Sequence, residues 1–130
     1  MWNGKYGGCP AYGWGKKEGQ FLSRAELGAH GKGVDARVVI CDASMHRGTV
    51  LGCDGELLLT IGGVRQTAEG RDDQGGWFHT LDSMQFDESG KLINGTDMSR
   101  NIVQVCDSET GECKRMFGNV PVWNAETERY

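Results

Sequence analysis

The sequence predicts an all-β fold, and three observations carry that prediction. Strand-like runs dominate the chain: Arg37 to Cys41, Thr49 to Leu51, Glu56 to Ile61, Met84 to Phe86, Lys91 to Ile93, Ile102 to Cys106 and Glu112 to Phe117. Helical periodicity is nearly absent. The best helix start, Ser23-Arg24-Ala25-Glu26-Leu27, has a capping-box-like pattern but meets Gly28, Gly31 and Gly33 at once. Turn chemistry separates the runs, because Asp54-Gly55 and Glu109-Thr110-Gly111 supply the positive φ that hairpins need. Short strands joined by such turns point to a sandwich, a barrel or a propeller.

Taken in order, the elements repeat. Residues 1–18 form a glycine- and aromatic-rich segment, Gly4 to Gly15, followed by Trp14-Gly15-Lys16-Lys17-Glu18 as a connection. Gly19-Gln20-Phe21 then recurs 57 residues on as Gly76-Trp77-Phe78, and Asp42, which ends the run Val38 to Cys41, recurs 55 residues on as Asp97. Leu51 matches Cys106, Gly55 matches Gly111, and Thr60-Ile61-Gly62-Gly63 matches Met116-Phe117-Gly118-Asn119. Offsets that drift by single residues are what turns and bulges absorb. The first copy holds four short strands, Glu26–Ala29, Arg37–Cys41, Thr49–Leu51 and Glu56–Ile61, and four antiparallel strands per repeat is the anatomy of a propeller blade. The organisation read from this is a segment 1–18, a first blade 19–63, a long connection with a second blade 64–119, and a C-terminal segment 120–130.

Composition narrows the function classes. A length of 130 residues suits about one domain, and 21 glycines exceed the average usage of about 7% without the three-residue period of collagen. Fourteen Lys and Arg against eighteen Asp and Glu leave a net charge of −4, which disfavours nucleic acid and anionic membranes as partners. No apolar run approaches the roughly 18 residues of a membrane span, and Met1-Trp2-Asn3-Gly4-Lys5-Tyr6 lacks the apolar core of a secretory signal, so the expectation is a soluble cytoplasmic protein. Cys9, Cys41, Cys53, Cys106 and Cys113 form no C-x-x-C pair and read first as buried structural thiols, with one disulfide or a metal site as the alternatives. Asn94-Gly95-Thr96 matches a glycosylation sequon by chance in such a compartment.

Catalytic patterns are thin. There is no Gly-x-Ser-x-Gly elbow, and Gly31-Lys32-Gly33 is too short for a phosphate-binding loop. Asp42, Asp87 and Asp97 sit at strand ends, where turns favour aspartate, and residues 87–90 lack the alternating acids of an EF-hand. No catalytic or metal-ligating residue is therefore assigned.

Both copies resemble the NHL repeat, the unit of a group of β-propellers, over residues 19 to 119. The first reads Gly19-Gln20-Phe21, then Val38-Val39-Ile40-Cys41-Asp42-Ala43-Ser44-Met45-His46-Arg47, then Cys53-Asp54-Gly55-Glu56-Leu57-Leu58-Leu59-Thr60-Ile61-Gly62-Gly63. The second reads Phe86-Asp87-Glu88-Ser89-Gly90-Lys91-Leu92, then Ile102-Val103-Gln104-Val105-Cys106-Asp107, then Thr110-Gly111-Glu112. The family arginine is Arg47 in the first copy; its place in the second holds Ile102, with Arg100 two residues earlier.

The resemblance implies two four-stranded blades of a six-bladed propeller, completed by a longer chain or by oligomerisation, for which three copies of two blades would serve. It also implies that the loop after the second strand and the loop joining successive blades share one face: residues 43–47, 98–101 and the connection 64–77. Partner-binding candidates on that face are His46, Arg71, Trp77, His79 and Arg100, with Trp and Arg favoured as interface anchors. For Trp77 and Phe78, packing between blades is the first reading and a partner contact the second. The leading expectation is a non-enzymatic interaction or scaffold module binding protein partners or further copies of itself, without a cofactor. The alternative is a metal-dependent propeller enzyme of the lactone-hydrolase or amidating-lyase type, holding Ca2+ or Zn2+ in its central channel.

Overall fold

A computed structural model describes residues 13–14, 20–21, 26–63, 75–119 and 126. A short parallel pair, β1 (Gly13–Trp14) and β2 (Gln20–Phe21), precedes two four-stranded antiparallel sheets. The first sheet runs β3 (Glu26–His30), β4 (Arg37–Asp42), β5 (Arg47–Leu51) and β6 (Leu57–Gly62) in chain order. The second runs β7 (Leu81–Phe86), β8 (Leu92–Asp97), β9 (Ile102–Asp107) and β10 (Cys113–Gly118), again as a meander. A single 3-10 turn, Gly33–Asp35, joins β3 to β4, and there is no α-helix among the described residues.

The two sheets share one register. Asp42 pairs with Arg47 across the turn between β4 and β5, as Asp97 pairs with Ile102 across the turn between β8 and β9. In the first sheet Leu58 is the extra residue of a bulge, because Val50 faces Leu59 while Leu51 faces Leu57. Lys114 is its counterpart, between the pairs Cys106–Cys113 and Val105–Arg115. The one-residue drift between copies falls in the turn after the third strand, residues 52–56 against 107–112. Even the backbone strain repeats: His46 (φ 53°) and Asn101 (φ 52°) close equivalent turns in the left-handed region, which disfavours most side chains. Asparagine tolerates that region better than alanine, so Asn101→Ala is expected to lose about 1 kcal/mol, read as a shift of the urea midpoint at constant m.

Several features differ from the sequence reading. β5 begins at Arg47 rather than Thr49, because Gly48 pairs with both Cys41 and Ile61. β8 runs on through Asn94-Gly95, a turn-like dipeptide, because each residue has partners on both sides: Asn94 with Gln85 and Val105, Gly95 with Met84 and Gln104. Cys53 is exposed in a turn, whereas Cys41 and Cys106 are fully buried free thiols.

The sheets pack through one apolar cluster. Val39, Cys41, Val50 and Ile61 line the first sheet's packed face, and Met84, Ile93 and Cys106 line that of the second, with Phe78 and Leu81 between them. Two glycines make room for this. A Cβ at Gly48 would collide with the sulfur of Met84, and one at Gly95 would stand 2.8 Å from Phe78 Cζ. Burial pushes the thiols of Cys41 and Cys106 up to about 12; nearby acids, Glu26 first, add to the effect at Cys41, and the neighbouring Cys113 adds to it at Cys106.

At the far end from the β4–β5 turn, Arg37 ties the sheets together. Its guanidinium donates to Ser108 Oγ at 3.0 Å and to the carbonyl of Gly90, and lies 5.0 Å from the centre of the Phe86 ring. The faces used are not equivalent. The first sheet packs with Val39, Cys41 and Val50, whose counterparts in the second sheet (Asn94, Thr96 and Val105) point away from the contact. The arrangement is head-to-tail.

Candidate functional site

Where the described end of the connection into β7 meets the turn 98–101, a buried carboxylate organises both. Asp97 is the last residue of β8 and only 1% exposed. Its Oδ2 accepts the His79 N–H at 2.7 Å, and its Oδ1 accepts the N–H groups of Thr80 at 3.1 Å and Arg100 at 3.3 Å. Arg100 Nε completes the set with an ion pair to Oδ2 at 3.0 Å. Burial alone would raise the Asp97 pKa; hydrogen bonds from His79, Arg100 and Thr80 outweigh it and hold the carboxyl below its ordinary value.

The second half of the network holds Trp77. The Arg100 guanidinium stands 4.1 Å over the Trp77 ring and donates from Nη2 to the Trp77 carbonyl at 2.8 Å. Gln104, fully buried in β9, donates to the same carbonyl at 2.6 Å, and its Oε1 accepts the Gly76 N–H at 2.8 Å. Chain entry into β7 is thereby fastened to the turn 98–101. Thr80 adds a hydroxyl contact with Ser99, and the Met98 N–H reaches the Thr80 carbonyl at 2.9 Å.

Of the residues singled out by sequence, the structure brings Trp77, His79 and Arg100 together. His79 lends its backbone to Asp97 while its ring is exposed, with Nδ1 3.3 Å from Thr80 Oγ1. His46 closes the corresponding turn of the first sheet, where its carbonyl accepts the Gly63 N–H at 2.8 Å. The preceding residues are set by Asp42, whose Oδ1 accepts Ser44 and Met45 N–H groups, each at 3.1 Å. Arg71 lies outside the described residues. Two members of the network were not singled out as site residues, Asp97 and Gln104. The strand-ending position shared by Asp42 and Asp97 is the signal that finds the first. Nothing local finds the second.

Chemically, the arrangement fixes a backbone and displays side chains. Asp97, Gln104 and the Arg100 head group spend their hydrogen bonds internally, whereas His79, Ser99 and Met98 (60% exposed) face outward. Among the described residues no three of His, Cys, Asp and Glu gather as a metal-binding group, and no helix is long and apolar enough to cross a membrane. Compared with models of known protein families and with curated protein sequences, the chain matches none.

Proposed function

We propose that this chain is a non-enzymatic interaction module whose two sheets are NHL-like propeller blades, and that it binds protein partners through the end bearing His46, Trp77, His79 and Arg100. The observation that supports this most is the Asp97–Arg100–Trp77–Gln104 network. It immobilises the backbone of two loops at once and leaves the His79 and Met98 side chains outward on a rigid frame. Preorganised loops lose less entropy on association than mobile ones. The head-to-tail packing of the sheets supports the blade reading, and the ring is completed by further copies or by a longer chain.

The test is a photo-crosslinking residue placed at Met98, with the same residue at Glu112 on the opposite end as control. Discrete protein adducts from position 98 alone, lost on His79→Ala without a change in melting temperature, are the expected result. Equal labelling from both ends would remove the loop end as the binding surface.

A further inference from the structure

The contact between the two sheets has a second version on the surface, open among the described residues. Inside the chain, a hollow on the first sheet formed by Cys41, Gly48, Ile61 and Gly62 receives Met84 and Phe78. A Cβ at Gly62 would lie 2.6 Å from Phe78 Cδ2 and 2.9 Å from the His46 carbonyl oxygen. By the shared register the counterparts on the second sheet are Thr96, Val103, Phe117 and Gly118. These four line an open cavity of about 520 Å3. Gly118 has the same positive φ (100° against 85°), and a Cβ there would meet the Asn101 carbonyl as one at Gly62 meets that of His46. Apart from its chain neighbour Phe117, no aromatic ring among the described residues stands as close to Gly118 as Phe78 does to Gly62.

The matching knob is carried by the first sheet. Leu27 faces Ile40 as Met84 faces Gly95, so Leu27 is the counterpart of Met84, and it is 61% exposed. The sizes compensate as well. Where Gly48 admits the long thioether of Met84, Val103 narrows the hollow, and leucine ends one atom earlier than methionine. Phe117 (47% exposed) and Met98 add apolar rim to the cavity.

We infer that the outward face of the second sheet is a docking surface for a second copy of this chain, which seats Leu27 in the cavity lined by Thr96, Val103, Phe117 and Gly118. This deepens the blade reading above by naming the partner that continues the stack, and it rests on that reading only for the number of copies that close a ring. The same two faces that meet within the chain meet between chains, head to tail, so the contact is heterologous rather than two-fold.

Light scattering after size exclusion tests it with the full chain and the variants Leu27→Glu and Val103→Arg, with Phe117→Asp as an exposed substitute should Val103→Arg lose the native circular dichroism spectrum. The parent is expected to run as several chains, three for a ring of six sheets, and each variant as one. An equimolar mixture of the variants is expected to form a species of two chains, because one supplies an intact cavity and the other an intact Leu27. A monomeric parent, variants that stay assembled, or a mixture that stays monomeric would each overturn the inference. Crosslinking from Met98 in the monomeric variants separates this outcome from that of the loop-end proposal, since loop binding does not need the stack.

Discussion

Replacing Phe78 with alanine is expected to lower stability by about 3–5 kcal/mol, a large share of the roughly 5–15 kcal/mol available to a domain. Phe78 is 1% exposed and lies between the sheets, its ring against the backbone of Gly62 on one side and of Gly95 on the other. Both contacts are to glycine backbone, which has no side chain to swing into the space left behind. Relaxation is left to neighbours in the cluster such as Met84, whose Cε shares the space over Gly95 with the ring, and the loss falls in the range that large-to-small substitution produces. Urea denaturation with a constant m reads the effect as a lower midpoint. The exposed Phe117→Ala is the control, expected to change stability by less than about 1 kcal/mol in the unassembled chain. A midpoint for Phe78→Ala within error of that control would mean that the ring does not join the two sheets.

The second large effect belongs to Asp97. Asp97→Ala removes the acceptor of four hydrogen bonds and takes from Arg100, whose side chain is 6% exposed, the carboxylate that its Nε pairs with. Breaking a buried pair from one side costs about 3–5 kcal/mol. The same carboxylate makes stability depend on pH. Its folded pKa lies below the unfolded value of about 3.9, so its contribution is fully present above that value and is lost as pH falls through the folded pKa. Asp87 and Asp107 are lowered too, the first chiefly by the Ser89 hydroxyl and the second chiefly by the Thr110 N–H, so acid unfolding of the parent pools several carboxylates. Stability measured from neutral pH down into the acid range is expected to fall less steeply in Asp97→Asn than in the parent. Parallel acid limbs would show that Asp97 titrates alike in folded and unfolded chains.

How much of this was legible in the sequence depends on the distance over which each feature is decided. Strands such as Val38-Val39-Ile40-Cys41 and Ile102-Val103-Gln104-Val105-Cys106 declare themselves through β-branched content, and Gly55 and Gly111 through turns that need positive φ. Asn94-Gly95 misleads because its local preference is for a turn, while pairing on both flanks and the nearness of Phe78 and Met84 to Gly95 decide otherwise. Among the site residues, Trp77 and Arg100 stand out by type. That they stack on each other follows from the meander bringing residues 23 positions apart to one end. Gln104 looks like a surface residue of an alternating strand, and only its buried contact with the Trp77 carbonyl shows why a polar side chain is held there.

The two buried thiols have one more consequence. Cys41 and Cys106 sit on the opposing packed faces of the two sheets, and a pKa of about 12 leaves on the order of one thiolate in 10⁵ at neutral pH. An alkylating reagent reaches either sulfur only when the sheets part, whereas Cys53 in its exposed turn is open to it from the start. The chain thus carries its own kinetic reporter. Cys53 marks zero time, and the rate at which Cys41 and Cys106 are modified, resolved by site from Cys9 and Cys113, counts separations of one sheet from the other.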